Sequence, residues 1–171
     1  MPRSFDISVD YEGSVEQVHS AFRDRQYWLT RLADSGVDDA SLDSLRLDPE
    51  RVVGGVTIAT TQVLRSDRLP ALVGQFHKGD LRIERRETWS PVSDRQASAT
   101  VDGAITGAPV SLTGAATLKG SGSQARLEFH VTVEVRIPLV GGKIEGLIGK
   151  QLVDLVIAEQ RFTTTWIAEN P

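Results

Sequence analysis

The sequence predicts an α+β fold: a curved seven-stranded antiparallel sheet wrapped around a long C-terminal helix, with two short helices after the first strand. Three observations carry this. Residues 125–137 alternate strictly, with Leu127, Phe129, Val131, Val133 and Val135 on one phase and Arg126, Glu128, His130, Thr132, Glu134 and Arg136 on the other. Such alternation marks a strand with one wet face. Pro138 ends that strand, and residues 139–168 then read as one amphipathic helix of about thirty residues, roughly 45 Å long. Between these elements and the first helices, strand-like runs are separated by gaps too short for parallel crossovers, so neighbours pair as antiparallel hairpins.

The elements follow in order. Phe5, Ile7, Val9 and Tyr11 alternate with Asp6, Ser8 and Asp10 to give the first strand, which Gly13 closes. Ser14 with Gln17 three residues on forms a capping box, and Glu16 suits the first turn of the helix dipole. Val15, Val18 and Phe22 then mark one face of a short helix. A second short helix over 27–33 turns Trp28, Leu29 and Leu32 inward and stops at Asp34, Ser35 and Gly36.

Strands are expected at residues 39–47, 51–64, 80–89, 96–105, 110–119 and 124–137. Turn chemistry at Asp48-Pro49-Glu50, residues 91–94, Gly107-Ala108-Pro109 and Ser121-Gly122-Ser123 separates them. The stretch 67–79, with Leu69, Pro70, Leu72, Val73 and Phe76, exceeds a hairpin loop and predicts a short helix opening near Pro70. No repeat, linker or low-complexity stretch divides the chain, so residues 1–171 are expected to form one domain.

Composition excludes several classes. A net charge of −4 and one interrupted basic cluster, Arg82, Arg85 and Arg86 around Glu84, argue against a nucleic-acid partner. The absence of cysteine rules out disulfides, thiol nucleophiles and thiolate metal sites. The N-terminal residues alternate like a strand and lack the apolar core of a signal peptide, and Lys150, Gln151 and Asp154 interrupt the most apolar stretch, 147–158. A cytoplasmic protein without a membrane span is the expectation.

With that element order, the chain resembles the helix-grip superfamily of START lipid-transfer domains, the Bet v 1 pollen-allergen group and bacterial polyketide cyclases. The resemblance runs from the strand at Phe5 to the helix ending near Ala168. Within it, Leu69-Pro70 followed by Gly79-Asp80-Leu81-Arg82-Ile83 and Glu87-Thr88-Trp89 is similar to an actinobacterial family of unknown function. The resemblance implies a sheet wrapped around the final helix with an elongated pocket between them. It implies no catalytic residue here.

Candidate chemistry concentrates on the strand 81–89. If Leu81, Ile83 and Trp89 face inward, the two-residue period places Arg85 and Glu87 on the same face. Charges there must be paired or solvated in a polar pocket. Arg85 and Glu87 therefore form either the polar floor of an apolar cavity, with Arg85 on a ligand carbonyl or carboxylate, or a structural ion pair, or a bulge that turns both outward. Trp89, Ile58, Val101, Leu112, Phe129, Val131, Ile148 and Leu152 are the expected apolar lining. Small residues on the inner phases, Gly54, Thr60, Gly103, Gly114 and Ala116, leave room for a ligand or for the helix itself.

Gly141, Gly142, Gly146 and Gly149 crowd the start of the final helix, where each interior glycine costs roughly 1 kcal/mol relative to alanine. They mark either a portal or a close helix-to-sheet approach. Neither Gly142-Lys143 nor Gly149-Lys150 completes a phosphate loop. His19, His77 and His130 lack metal spacing, with His19 on a helix flank, His130 on a polar phase, and His77 either at a pocket mouth or solvated. Ser121-Gly122-Ser123 reads as a hairpin rather than a nucleophile elbow. No metal or cofactor is expected. The leading functional expectation is a carrier of a lipid or other hydrophobic small molecule; the alternatives are a polyketide cyclase or dehydratase-like enzyme, in which Tyr11, His77, Arg85 and Glu87 are the available actors, and a ligand-free interaction module.

Overall fold

The computed structural model describes residues 2–47, 54–68, 71 and 78–171. Strand β1 (Arg3–Tyr11) leads to helices α1 (Val15–Phe22) and α2 (Arg25–Asp34). Strands β2 (Asp39–Leu47), β3 (Val56–Leu64), β4 (Leu81–Trp89), β5 (Gln96–Ile105), β6 (Val110–Ser121) and β7 (Gln124–Val135) follow, and helix α3 (Gly141–Glu169) ends the chain. The seven strands form one antiparallel sheet in the order β1-β7-β6-β5-β4-β3-β2. The first strand therefore closes against the last, and β2 forms the far edge.

Local sequence explains most boundaries. Ser14 and Gln17 form the expected capping box, with Gln17 N donating to Ser14 Oγ at 3.1 Å and Ser14 N to Gln17 Oε1 at 2.9 Å. Helix α2 starts two residues earlier than its apolar pattern predicts, because Asp24 caps it through Gln26 N at 2.8 Å. Strand β7 stops at Val135, short of the expected Ile137. Arg136 N instead donates to Pro109 O at 2.9 Å, and the chain turns through Leu139 at a φ of 71° before α3 begins, two residues later than expected. A bulge at Asp43 bends the edge strand β2, and its carboxylate accepts from Ser41 Oγ at 2.8 Å and Thr61 Oγ1 at 2.5 Å. Bulges of this kind protect an edge against unwanted pairing. Residues 51–53 of the expected third strand, Leu69-Pro70, most of the helix expected over 67–79, and His77 lie outside the described residues; Ser66–Arg68 form a 3₁₀ turn.

The core lies between the sheet and the three helices. Val15, Val18 and Phe22 of α1 and Tyr27 and Trp28 of α2 pack with Ile58, Trp89, Leu118, Leu127 and Val131 of the sheet. Six aromatic rings cluster there: Phe22, Tyr27, Trp28, Trp89, Phe162 and Trp166, with neighbouring centroids between 5.1 and 6.4 Å apart. His19, expected on a helix flank, is buried; its Nε2 meets Ser90 O at 2.8 Å, and burial lowers its pKa. The helix flank on which it sits is the one that packs on the end of β4.

Helix α3 lies chiefly over β1 and β7, and its glycines divide by what they face. A Cβ at Gly149 would enter the ring of Phe5, and one at Gly141 would press on the Val135 carbonyl, whereas Gly142 has open space. Two of the four thus serve close approach of helix to sheet. At Gly114 the inner-face room is occupied, since a Cβ there would lie 2.9 Å from the Phe129 ring. Gly149→Ala is expected to lower unfolding free energy by about 1–3 kcal/mol through overpacking, against a gain of up to ~1 kcal/mol from helix propensity for Gly142→Ala. Urea denaturation of the two variants checks the opposite signs.

Candidate functional site

Strand periodicity delivers Arg85 and Glu87 to the inner face of β4, alongside buried Leu81 and Trp89. The bulge that would have turned them outward is absent, since β4 stays in register with β3 from Leu81 to Trp89. On that face Arg85 pairs with Glu87 Oε2 at 3.2 Å and reaches across to α3, where Nη1 and Nη2 donate to Glu159 Oε2 and Oε1 at 2.9 and 3.2 Å. Arg31 of α2 makes a second ion pair with Glu159. Its guanidinium also lies over the Trp28 ring, 4.4 Å from the centroid, in cation–π geometry.

Hydrogen bonds continue the network toward the core. Thr163 Oγ1 donates to the Glu159 carbonyl at 2.7 Å, which uses its only proton. Tyr27 must then donate to Thr163 Oγ1 at 2.6 Å, leaving its own oxygen to accept from Arg31 Nη1 at 3.1 Å. At the other end, Trp89 Nε1 donates to Glu87 Oε1 at 3.4 Å. The result is a neutral cluster of two guanidinium groups and two carboxylates, oriented by buried aromatic and hydroxyl groups.

Electrostatics follow from burial against pairing. Burial pushes the Glu159 carboxyl up, but the Coulomb fields of Arg31 and then Arg85 outweigh it and hold the group at about 2. For Arg31 and Arg85 burial works to discharge the guanidinium, and Glu159 chiefly reverses this, raising both above the ordinary arginine value. Burial raises the nearby Tyr11 and Tyr27 phenols as well. Glu159, Arg31 and Arg85 are therefore each held in their charged form near neutral pH.

Two small cavities adjoin the cluster. The larger, about 90 Å³, is lined by Trp28, Arg31, Leu32, Thr60, Gln62, Arg85, Leu155, Glu159 and Phe162, with exposed Asp34 and Ser35 at its mouth. The smaller, about 30 Å³, lies deeper among Tyr11, Phe22, Glu87, Trp89, Val101, Phe129 and the same Arg31, Arg85 and Glu159. Of the residues singled out from the sequence, Arg85, Glu87, Trp89, Val101 and Phe129 come together here. Ile58 and Val131 are instead buried core, and Leu112, Ile148 and Leu152 pack partly buried against it. Neither cavity touches the glycine-rich start of α3.

Arg31 and Glu159 went unread, although a pattern pointed to both. Glu159 stands on the helical stripe of buried Val156, Thr163 and Ile167, and Arg31 on that of Tyr27 and Leu32. A charge on an inward stripe calls for a partner. A further buried acid, Glu145, accepts from Val135 N at 2.9 Å near the start of α3, away from this cluster. Among the described residues no three His, Cys, Asp or Glu side chains converge as a metal site, and no helix is long and apolar enough to cross a membrane.

The fold is that of the helix-grip superfamily. An aromatase/cyclase from Streptomyces superposes with a TM-score of 0.61 at 9% identity, covering 98% of this chain and 94% of its own. A START superfamily protein from Mycobacterium smegmatis gives 0.54 at 12%, covering 98% and 99%. Norcoclaurine synthase from Thalictrum flavum, in complex with dopamine and hydroxybenzaldehyde, gives 0.52 at 10%, covering 100% and 89%. By sequence, the chain belongs to the family described as protein of unknown function (DUF2505), which matches residues 6–167. Uncharacterised proteins of Mycobacterium tuberculosis and Mycobacterium bovis are 50% identical over 99% of both chains.

The cluster sets a pH dependence. Glu159 sits at about 2 in the folded protein against an ordinary 4.5, so its contribution is complete above about pH 4.5 and drains away as the pH falls toward 2. A displacement of that size is worth on the order of 3 kcal/mol. Glu159→Gln is expected to cost about 3–5 kcal/mol at neutral pH, because two buried guanidinium groups lose their shared partner. Urea melts from pH 7 to pH 2 should show a shallower acid slope for the variant than for the parent protein.

Proposed function

We propose that this protein binds a lipid or other hydrophobic small molecule between the sheet and α3, with the Arg31–Glu159–Arg85–Glu87 cluster as the polar anchor at the inner end of the site. The observation that carries this reading is the meeting of two cavities at a buried ionic cluster whose other walls are aromatic and aliphatic. Ligand pockets have this composition, apolar walls with a few placed polar groups. The whole chain acts as one such unit in this reading, in the cytoplasm.

Cavity size adds a condition. About 90 Å³ accommodates a small group, while drug-sized ligands occupy roughly 300–1,000 Å³. Uptake of a larger molecule therefore widens the space beside α3, whose Leu152, Leu155, Phe162 and Trp166 are only partly buried. The norcoclaurine synthase complex supports the general principle that a chain of this fold holds small aromatic molecules.

Acid–base catalysis of the cyclase or dehydratase kind has less support. A catalytic acid or base works best with a pKa near the operating pH, whereas Glu159 is held at about 2 and the two arginines stay charged. Fixed charges suit the orientation of a ligand. The interaction-module reading is also weaker, because among the described residues the exposed large apolar ones, Leu29, Leu47, Leu139, Leu147 and Val153, belong to four different places in the fold.

Trp28 and Trp89 report on the site, one under Arg31 and the other bonded to Glu87. Organic extraction of the purified protein followed by mass spectrometry is expected to release an apolar molecule, and fluorescent lipid analogues should change tryptophan emission. Arg85→Leu should weaken uptake about tenfold, the effect of losing one charge-assisted contact. An empty extract together with no uptake would reject the container reading.

A further inference from the structure

Two guanidinium groups converge on one carboxylate where the two cavities meet. Arg85 engages both oxygens of Glu159 with its planar fork, and Arg31 pairs with the same group from the opposite element. Proteins use this geometry to seat the carboxylate of a bound molecule. Here the chain fills the seat itself. Arg31, Arg85 and Glu159 are the three residues common to both cavities, so the Glu159 carboxylate forms part of the partition between them.

We infer that Glu159 is an internal stand-in for the head of an amphipathic monocarboxylate, which takes the place between Arg31 and Arg85 when the Glu159 side chain turns toward the mouth of the larger cavity. This rests on the container reading and names its ligand class. Glu159 keeps 17% of its side-chain surface open, which gives it a route to water that does not cross the core. Its backbone stays anchored meanwhile, since Thr163 holds the carbonyl.

Charge conservation selects the ligand. With Glu159 turned out, Arg31, Arg85 and Glu87 remain, two cations and one anion, and a single carboxylate restores neutrality. A neutral alcohol in the same seat would leave a buried cation without a partner, and an amine would add a third. The apolar tail has walls to follow on both sides of the seat: Trp28, Leu32 and Phe162 outward, Trp89, Val101 and Phe129 inward. Removing the partition joins these walls into one slot.

The test compares decanoate, decanol and decylamine by titration calorimetry on the full chain, with circular dichroism to verify folding. Glu159→Gln deletes the internal competitor, so decanoate should bind about tenfold more tightly than to the parent protein, as expected for one charge-assisted pair, while decanol changes by less than about threefold. The gain should vanish in the Glu159→Gln, Arg85→Leu double variant. If Glu159→Gln fails to fold, Glu159→Asp keeps the charge but shortens its reach, and should shift decanoate in the same direction. Equal changes for decanoate and decanol, or weaker decanoate binding, would overturn the inference and leave the container reading intact. Failure of all three probes to enter any variant would remove both.

Discussion

Glu159 is where three parts of the chain meet. Its carboxylate, on α3, is shared by Arg31 of α2 and Arg85 of β4, and the aromatic core is arranged around that junction. Trp28 supports one guanidinium, Tyr27 bonds both Arg31 and Thr163, and Trp89 bonds the Glu87 that completes the pairing of Arg85. Without the shared carboxylate, two cations would stand in a largely desolvated site, and the seating of α3 against α2 and β4 would lose its polar constraint.

Stability alone does not account for such an arrangement. Burying four charges carries a desolvation cost that good pairing only offsets, and well-packed apolar residues of similar volume often do as well or better. The cluster contributes orientation. Arg85 and Arg31 both reach the Glu159 carboxylate, while Glu87 pairs with Arg85 and Tyr27 accepts from Arg31. In the proposed container, such a site would distinguish ligands by charge and by the position of a polar atom, and the surrounding rings and aliphatic chains would accept varied tails.

Two other regions divide the mechanical work. The glycines at the start of α3 let the helix approach β1 and the end of β7, with Gly149 under Phe5 and Gly141 against Val135. That end of the helix is close-packed, while the cavities lie beside its second half, at Leu155, Ala158, Glu159 and Phe162. In the proposed container, any widening of the cavities therefore belongs to the α2-facing half of α3. Buried His19, bonded to Ser90, fastens α1 to the end of β4 and thus fixes one boundary of the same region.

The fold was legible because its signals are local. Alternation in residues 125–135, the Ser14 and Gln17 box, and the turn residues between hairpins each specify an element from nearby atoms, and the long helix follows from its length and apolar faces. Period two likewise carried Arg85 and Glu87 to the inner face, with Trp89, Val101 and Phe129 beside them. Only the tertiary structure decided what those charges meet, because Arg31 and Glu159 arrive from distant elements and their pairing depends on how α2 and α3 pack on the sheet. It also decided that Gly114 makes room for Phe129 and that Gly149 makes room for Phe5. A sequence determines which face a side chain takes; which neighbour fills the space opposite is settled by the packing of elements far apart in the chain.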